Sequence, residues 1–250
     1  MVEEKKMYNS FSLVYDEFAY DIDYQKFADY YEKIFRKFNI KPELILDICC
    51  GTGNLTTIMS KKYDMIGIDF SYEMLDIAKN KDDKGKILYL CQSMCDFELY
   101  GTVDACYSSL DSINYILEEN ELITHFKLVH NYLNPDGIYI FDISSIYKFK
   151  NILSDNLFSD ESDNAFYIWQ NEYDNEEKLN TMYLDVFLKS SDNKYERISE
   201  THYEKGYNVS YIKKIAKKCG FEILGIYDEF SFEDYKKDSE RIFFVIKAKK

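Results

Sequence analysis

Leu44-Ile45-Leu46-Asp47-Ile48-Cys49-Cys50-Gly51-Thr52-Gly53-Asn54-Leu55 is followed, one helix-length later, by Met65-Ile66-Gly67-Ile68-Asp69. The chemistry available to these residues is recognition of a nucleoside. Gly51 and Gly53 let backbone N–H groups come closer to a ligand than a Cβ would allow. Asp69, about 20 residues beyond the turn, offers two acceptor oxygens to the hydroxyls of a ribose. The apolar β-branched run before the turn reads as a buried strand, and Met65 to Asp69 as a second strand with the carboxylate at its tip.

This half-site fits two cofactor classes, nicotinamide dinucleotides and S-adenosylmethionine, because both carry an adenosine ribose. A dinucleotide turn has a third glycine so that the pyrophosphate can rest on the helix N-terminus, and here that place falls on Thr56. Asp47 ends the first strand and no basic residue stands near the turn to meet phosphates. Both points favour a cofactor without a phosphate bridge.

On Asp47, Gly51, Gly53 and Asp69 the chain resembles the class I S-adenosylmethionine-dependent methyltransferases. Within them it looks like the branch of small-molecule methyltransferases that includes the sugar N,N-dimethyltransferases, and is similar in general plan to glycine N-methyltransferase. Cys49 stands where that family has its first glycine. The resemblance runs over nearly the whole chain and is strongest from Tyr15 to Asp142. It implies S-adenosylmethionine as cofactor and S-adenosylhomocysteine as product. The expected cofactor-binding set is Tyr15, Asp47, Cys49, Gly51, Gly53, Asp69, Phe70, Met74, Ser93, Met94, Ser109 and Leu110. Ser93-Met94 replaces the acidic and apolar pair with which relatives cap the adenine, and Met74 packs on the base or in the core. Tyr15 matches the tyrosine of a Tyr-Asp pair in relatives.

Tyr107 to Tyr115 follows the fourth expected strand to the sheet edge where the transferable methyl would lie, and it contains no Asn/Asp-Pro-Pro-Tyr signature of base methylation. The formal charge of −14, from 45 acidic and 31 basic residues, repels phosphate backbones, so neither nucleic acid nor an anionic membrane is an expected partner. A small-molecule amine or hydroxyl is the expected acceptor. Near the N-terminus Tyr8, Phe11, Tyr15, Phe18 and Tyr20 form either a lid or an ordinary aromatic arm. Farther along, Trp169, Tyr183, Glu200, His202, Tyr203 and Tyr207 form the expected substrate-facing set. The catalytic candidates are His202, Tyr203, Glu200 and Tyr15, with His202 read either as a general base or as a structural residue.

The elements that must position these groups alternate. An amphipathic helix through Tyr24, Phe27, Ala28, Tyr31, Ile34, Phe35 and Phe38 stops before Pro42. Expected strands are Leu44–Ile48, Met65–Asp69, Ile87–Cys91, Val103–Ser108 and Ile138–Ile143, the last entered through an Asn134-Pro135-Asp136-Gly137 turn. Helices at Asn54 to Lys62, Ser71 to Ala78 and Leu122 to Leu133 lie between them. Alternation of this kind predicts α/β architecture with a doubly wound, mostly parallel sheet, the Rossmann-like plan. Strand-like runs Phe166–Tyr173, Leu179–Lys189 and Tyr195–Tyr203, separated by polar turns, predict an antiparallel insert after strand five. A helix from Val209 to Cys219, closed by Gly220, and strands Phe221–Phe230 and Ile242–Ala248 finish the chain. The expected division is a cofactor domain at 1–143 and 205–250, with an N-terminal lid and helix over 1–40, and a substrate cover at 144–204.

A chain of 250 residues, 46% hydrophobic, can bury one large core. It shows no membrane span and no apolar leader, so a cytoplasmic monomer or homodimer is expected. Six cysteines without paired spacing, beside three histidines, predict buried reduced thiols and no metal. Two other readings stand beside the methyltransferase: a non-catalytic nucleoside-binding regulator on the same fold, and a nicotinamide oxidoreductase, which Thr56 disfavours.

Overall fold

The structure is a computed structural model that describes residues 12–190 and 194–250. A short helix α1 (Ser12–Phe18) precedes α2 (Tyr24–Lys37). Asp23 caps α2 by accepting from the Lys26 N–H at 2.9 Å, and its apolar face buries Phe27, Ala28, Tyr30, Tyr31, Ile34 and Phe35. Then come β1 (Leu44–Ile48), α3 (Asn54–Met59), β2 (Asp64–Asp69), α4 (Tyr72–Lys81), β3 (Leu88–Cys91) and β4 (Val103–Ser108). A 3₁₀ turn at Ser112–Tyr115 leads to α5 (Glu119–Tyr132) and β5 (Leu133–Ser144). After a π-type turn at Lys148–Leu153 the chain forms β6 (Leu157–Glu161), β7 (Ala165–Asp174), β8 (Leu179–Lys189) and β9 (Tyr195–Lys205). It ends in α6 (Val209–Lys218), β10 (Phe221–Asp228) and β11 (Arg241–Ala248).

The seven-stranded sheet runs β10-β11-β5-β4-β1-β2-β3, parallel from β5 to β3, with β11 antiparallel to both its neighbours. Winding reverses between β1 and β4, which opens a crevice at the carboxyl ends of those strands. One face of the sheet is covered by α5 and α6 around Phe126, Phe141, Ile212 and Phe244. The other is covered by α2, α3 and α4 around Tyr31, Ile34, Leu75, Tyr107 and Phe243. A second, antiparallel sheet of four strands runs β6-β7-β8-β9.

Four features differ from the sequence reading. The aromatic arm contains a helix, α1, and the insert has an extra strand, β6. The Asn134 to Gly137 turn lies inside β5 as an irregularity: Val103 faces Leu133 while Ala105 faces Ile138, and Asp136 takes φ +62°. All six cysteines are free, but only Cys106 and Cys219 are buried and Cys91 is exposed, because it ends a strand at the sheet's edge. No helix among the described residues is long and apolar enough to cross a membrane.

Candidate active site

The turn after β1 owes its shape to three residues with positive φ: Cys49 at +63°, Gly51 at +53° and Gly53 at +73°. A Cβ on Gly53 would stand 2.6 Å from the Tyr89 hydroxyl and 2.9 Å from Ala78 Cβ, so glycine there lets α3 and β3 close on each other. A Cβ on Gly51 would meet nothing within 4 Å, and this is the open side of the turn. Cys49 adopts the left-handed conformation with a side chain attached, at a cost of roughly 1–2 kcal/mol. That strain is the physical reason a glycine suits this place.

Asp69, at the tip of β2, is buried. Its Oδ2 accepts from the Gly51 N–H and its Oδ1 from the Ser71 N–H, each at 2.9 Å. Each oxygen keeps a further lone pair for a ligand hydroxyl. Beneath the turn, Thr56 Oγ1 donates to Asp47 Oδ2 at 2.6 Å. Thr56 therefore bonds the end of β1 to α3 where a dinucleotide turn would carry its third glycine. Burial pushes the Asp47 carboxyl up to about 7 against that hydrogen bond.

Phe70, next to Asp69, remains 37% exposed, a free apolar face beside the carboxylate. Met74 is buried in α4, and its N–H donates to the capping Ser71 Oγ. Ser93 closes a tight turn, its Oγ accepting from the Cys95 N–H at 3.2 Å and its carbonyl from the Asp96 N–H at 3.0 Å. Its hydroxyl thus has a turn to hold.

Behind this turn lies a relay that the sequence reading missed. His125 Nδ1 is 2.9 Å from the Met94 carbonyl, which can only accept, so Nδ1 carries the proton. Nε2 then accepts from the Tyr139 hydroxyl at 2.8 Å, and that oxygen accepts from Ser108 Oγ at 2.7 Å. Burial lowers the His125 pKa to about 4, in keeping with a neutral ring. The relay braces the turn after β3 against the end of β4. One sequence signal existed, a polar ring on the otherwise apolar face of α5.

The segment after β4 is strained. Leu110 and Asp111 take φ +57° and +52° in succession. Asp142, fully buried in β5, holds them: its two oxygens accept from the Leu110 and Asp111 N–H groups at 3.0 Å each, and Arg241 Nη1 donates to Oδ2. Asp111 in turn accepts from Ser144 Oγ and lies 3.7 Å from Lys148 Nζ. Ser109 is buried with its Oγ 2.7 Å from the Tyr31 hydroxyl. Asp142, Arg241 and Lys148 carried no recognisable motif; only the fold brings them together.

Across the second sheet, opposed residues share a face, which decides the fate of the substrate-facing set. Trp169, Leu184 and Glu200 stand opposite one another, as do Asn171, Met182 and His202, and Tyr173, Asn180 and Glu204. This is the buried face. His202 Nε2 lies 3.2 Å from Glu200 Oε2, and the Tyr115 ring meets the imidazole edge-on at 6.1 Å. Asn180 Nδ2 bridges Asn171 Oδ1 and Glu204 Oε2, both at 3.2 Å, and Trp169 Nε1 donates to Asn171 Oδ1 at 2.9 Å. Burial, then the neighbouring Asp111, push the Glu204 carboxyl up to about 8. Tyr203 and Tyr183 point the other way and are 44% and 43% exposed. The strand's two-residue period separates Tyr203 from His202, so it does not join the candidate site. Tyr207 is buried, donates to the Ile116 carbonyl and stacks on Tyr211, a structural position.

Tyr15 lies on α1, which spans from the glycine turn to the second sheet. Asp16 Oδ1 accepts from Thr52 Oγ1 at 2.7 Å and Asn54 Nδ2 at 2.9 Å, and Lys81 Nζ is 2.6 Å from Oδ2. On the far side Ser162 Oγ donates to Glu17 at 2.6 Å, and Phe18 meets Tyr167 edge-on at 4.6 Å. Tyr20 is exposed and donates to Asp160 at 2.8 Å. Tyr8 and Phe11 lie outside the described residues.

A profile described as a methyltransferase domain matches residues 45–137. The chain is 32% identical over 249 residues to the "Putative methyltransferase YqeM" of Bacillus subtilis (strain 168), covering 98% of each. The crystal structure of a S-adenosylmethionine-dependent methyltransferase from Clostridium acetobutylicum ATCC 824 is 34% identical, with a TM-score of 0.87 over 97% of this chain and 99% of that one. The sugar N-methyltransferase KedS8 from Streptoalloteichus sp ATCC 53650, 18% identical with a TM-score of 0.80 over 95% and 93%, shares the fold. With this degree of identity over nearly its whole length, the chain belongs to the S-adenosylmethionine-dependent methyltransferases.

Proposed function

We propose that the chain moves a methyl group from S-adenosylmethionine to a small-molecule amine or hydroxyl by in-line displacement. The observation that carries the donor side is the Asp69–Gly51 unit, a buried carboxylate oriented by two backbone N–H groups, with spare acceptor capacity beside an open turn. The residues present fit an adenosine. Asp69 would hold the ribose hydroxyls, Phe70 would offer a face to the base, and Ser93, Met94 and Met74 would bound it. Gly51, Gly53, Cys49, Asp47, Ser109 and Leu110 would surround the rest, and Tyr15 on α1 would close over it. When bound, the cofactor supplies an electrophilic methyl on a sulfonium.

Transfer from a sulfonium needs alignment and exclusion of water, and a base only where the acceptor arrives protonated. Residues 144–204 serve as the cover that excludes water. On its inner face His202, whose Nε2 lies 3.2 Å from Glu200 Oε2, would serve as the base where the acceptor arrives protonated. Titration calorimetry tests the donor site: the wild type should bind S-adenosylmethionine and S-adenosylhomocysteine, and Asp69→Ala should weaken both by about 10- to 100-fold, the scale of charge-assisted hydrogen bonds. Unchanged affinity in Asp69→Ala would remove the carboxylate from the site. Turnover of an amine and hydroxyl panel, read as S-adenosylhomocysteine formed, tests the acceptor class.

A further inference from the structure

At the strained end of β4 lies a cavity of about 270 Å³ whose walls include Leu110, Ile22, Phe27, Phe230, Lys26 and Arg241. We propose that it holds the methyl acceptor, and that the acceptor is a small molecule with a flat apolar body and one anionic group, a carboxylate or a phosphate. This rests on the methyltransferase reading and names the substrate class for it.

The walls fix the body of the ligand. Phe27 and Phe230 meet edge to face with centroids 4.7 Å apart and form an aromatic corner, and Leu110 and Ile22 extend it. The cations fix the head. Arg241 is pinned from behind, where Nη1 donates to the fully buried Asp142, and its remaining N–H donors have no acceptor among the described residues. A guanidinium that donates to one carboxylate and has a second, Asp111, nearby, with the rest of its fork at the cavity, suits a planar or tetrahedral oxyanion. Lys26 supplies a second cation. Its ammonium sits 4.3 Å over the Phe230 ring and makes no ion pair among the described residues, in a molecule whose net charge is −14.

Asp21 and Asp23 also line the cavity. Asp23 is engaged in capping α2 through the Lys26 N–H. Asp21 stands at the exposed rim, where it would accept from the amine or hydroxyl that takes the methyl. The cavity also touches Leu110, one of two consecutive residues held at positive φ by the same Asp142 that pins Arg241. Backbone strain of this kind gathers at ligand-holding sites. One buried carboxylate thus sets both the turn beside the expected methyl and the cation that would orient its acceptor.

The test uses the full chain with S-adenosylhomocysteine, titrated by calorimetry with benzoate, phenyl phosphate, benzyl alcohol and benzylamine. Benzoate or phenyl phosphate should bind more tightly than the two uncharged or cationic probes, and the better of the two identifies the head group. Lys26→Gln should weaken that anion by about fivefold, the limit for an exposed ion pair, and Arg241→Lys should weaken it further by losing the fork. Benzyl alcohol or benzylamine binding as tightly as the anions would overturn the proposal, as would an anion affinity that Lys26→Gln leaves unchanged. S-adenosylhomocysteine affinity is read in the same titrations. Its absence would defeat the donor site, whereas its presence without anion selectivity would defeat the cavity alone.

Discussion

Asp47 and His125 are both buried, and burial moves their pKa values in opposite directions because it penalises whichever form is charged. Asp47 rises from 3.8 to about 7, so its neutral form is favoured in the folded state, and the associated stability is present below pH 4 and lost as pH climbs to about 7. Glu204 behaves alike, from 4.5 to about 8. His125 falls from 6.5 to about 4, so its contribution is present above pH 6.5 and lost as pH drops through 4. Each window is worth on the order of a few kcal/mol, at about 1.4 kcal/mol per pKa unit. Between pH 4 and 6.5 the slopes oppose; from 6.5 to 8 only the acids titrate. Melting temperature should therefore fall over pH 6.5 to 8, and Asp47→Asn and Glu204→Gln should each flatten that fall. A melting temperature that climbs over this range in the wild type would contradict it. At this scale the sequence was informative where a side chain's role follows from local backbone. Gly51, Gly53 and Asp69 announce themselves by spacing, and Cys49 by standing in a glycine's place. His125, Asp142 and Arg241 act through partners distant in sequence, and no local pattern reports those. The separation of Tyr203 from His202 was implicit in the alternation of a strand.

At the scale of elements, α1 joins the glycine turn to the second sheet. Its Asp16 bonds to the glycine turn and to Lys81 of α4, while Val14, Glu17 and Phe18 face the second sheet. Burial works to raise the Asp16 pKa, and the bonds to Lys81, Thr52 and Asn54 outweigh it and hold the carboxyl below its usual value. We expect α1 to gate the donor site, opening at the turn while keeping its contacts to the cover. Asp16→Ala removes the anchors on the turn side, together worth on the order of 1–2 kcal/mol given partial exposure. Exchange of the Ala19 amide, which closes α1 on the Tyr15 carbonyl at 2.9 Å, should then quicken by about tenfold while that of Leu46 in β1 stays unchanged. Equal exchange in both proteins would mean that the second sheet alone holds α1. The sequence disclosed the long periodic elements, α2, α5, α6 and the buried strands, because each repeats its apolar signal over several turns or pleats. α1 and β6 were hidden because 7 and 5 residues carry too little periodicity to stand out. β5 pairs with β4 at Leu133 and again from Ile138, because an irregularity in the ladder absorbs the residues that read as a turn.

Across the whole molecule, burial is distributed unevenly between the two sheets. The seven-stranded sheet lies between two large apolar clusters, in which Ile34, Leu46, Tyr107, Phe126, Phe141 and Phe244 are fully buried. The apolar cluster of the second sheet is small, Val14, Ala165, Leu184 and Val186 with Phe18, Tyr167, Trp169 and Leu188 packed against it, and the polar Asn171, Asn180, His202 and Glu204 are buried beside it. Apolar burial stabilises by roughly 25 cal/mol per Å², whereas a satisfied buried hydrogen bond adds only about 1 kcal/mol net. The second sheet should therefore open at a lower free energy than the first, which suits the cover proposed for residues 144–204. Native-state hydrogen exchange separates the two. Amides of β7, β8 and β9 should exchange through a subglobal opening, with protection well below that of β1, β4, β5 and β11. The polar interior gives the difference a cause that can be varied: Asn180→Leu, which replaces the amide bridging Asn171 and Glu204, should change exchange in β7 to β9 and leave β1 and β4 as they were. If both sheets exchanged at one common free energy, the molecule would open only as a unit, and entry to the site would have to depend on α1 alone.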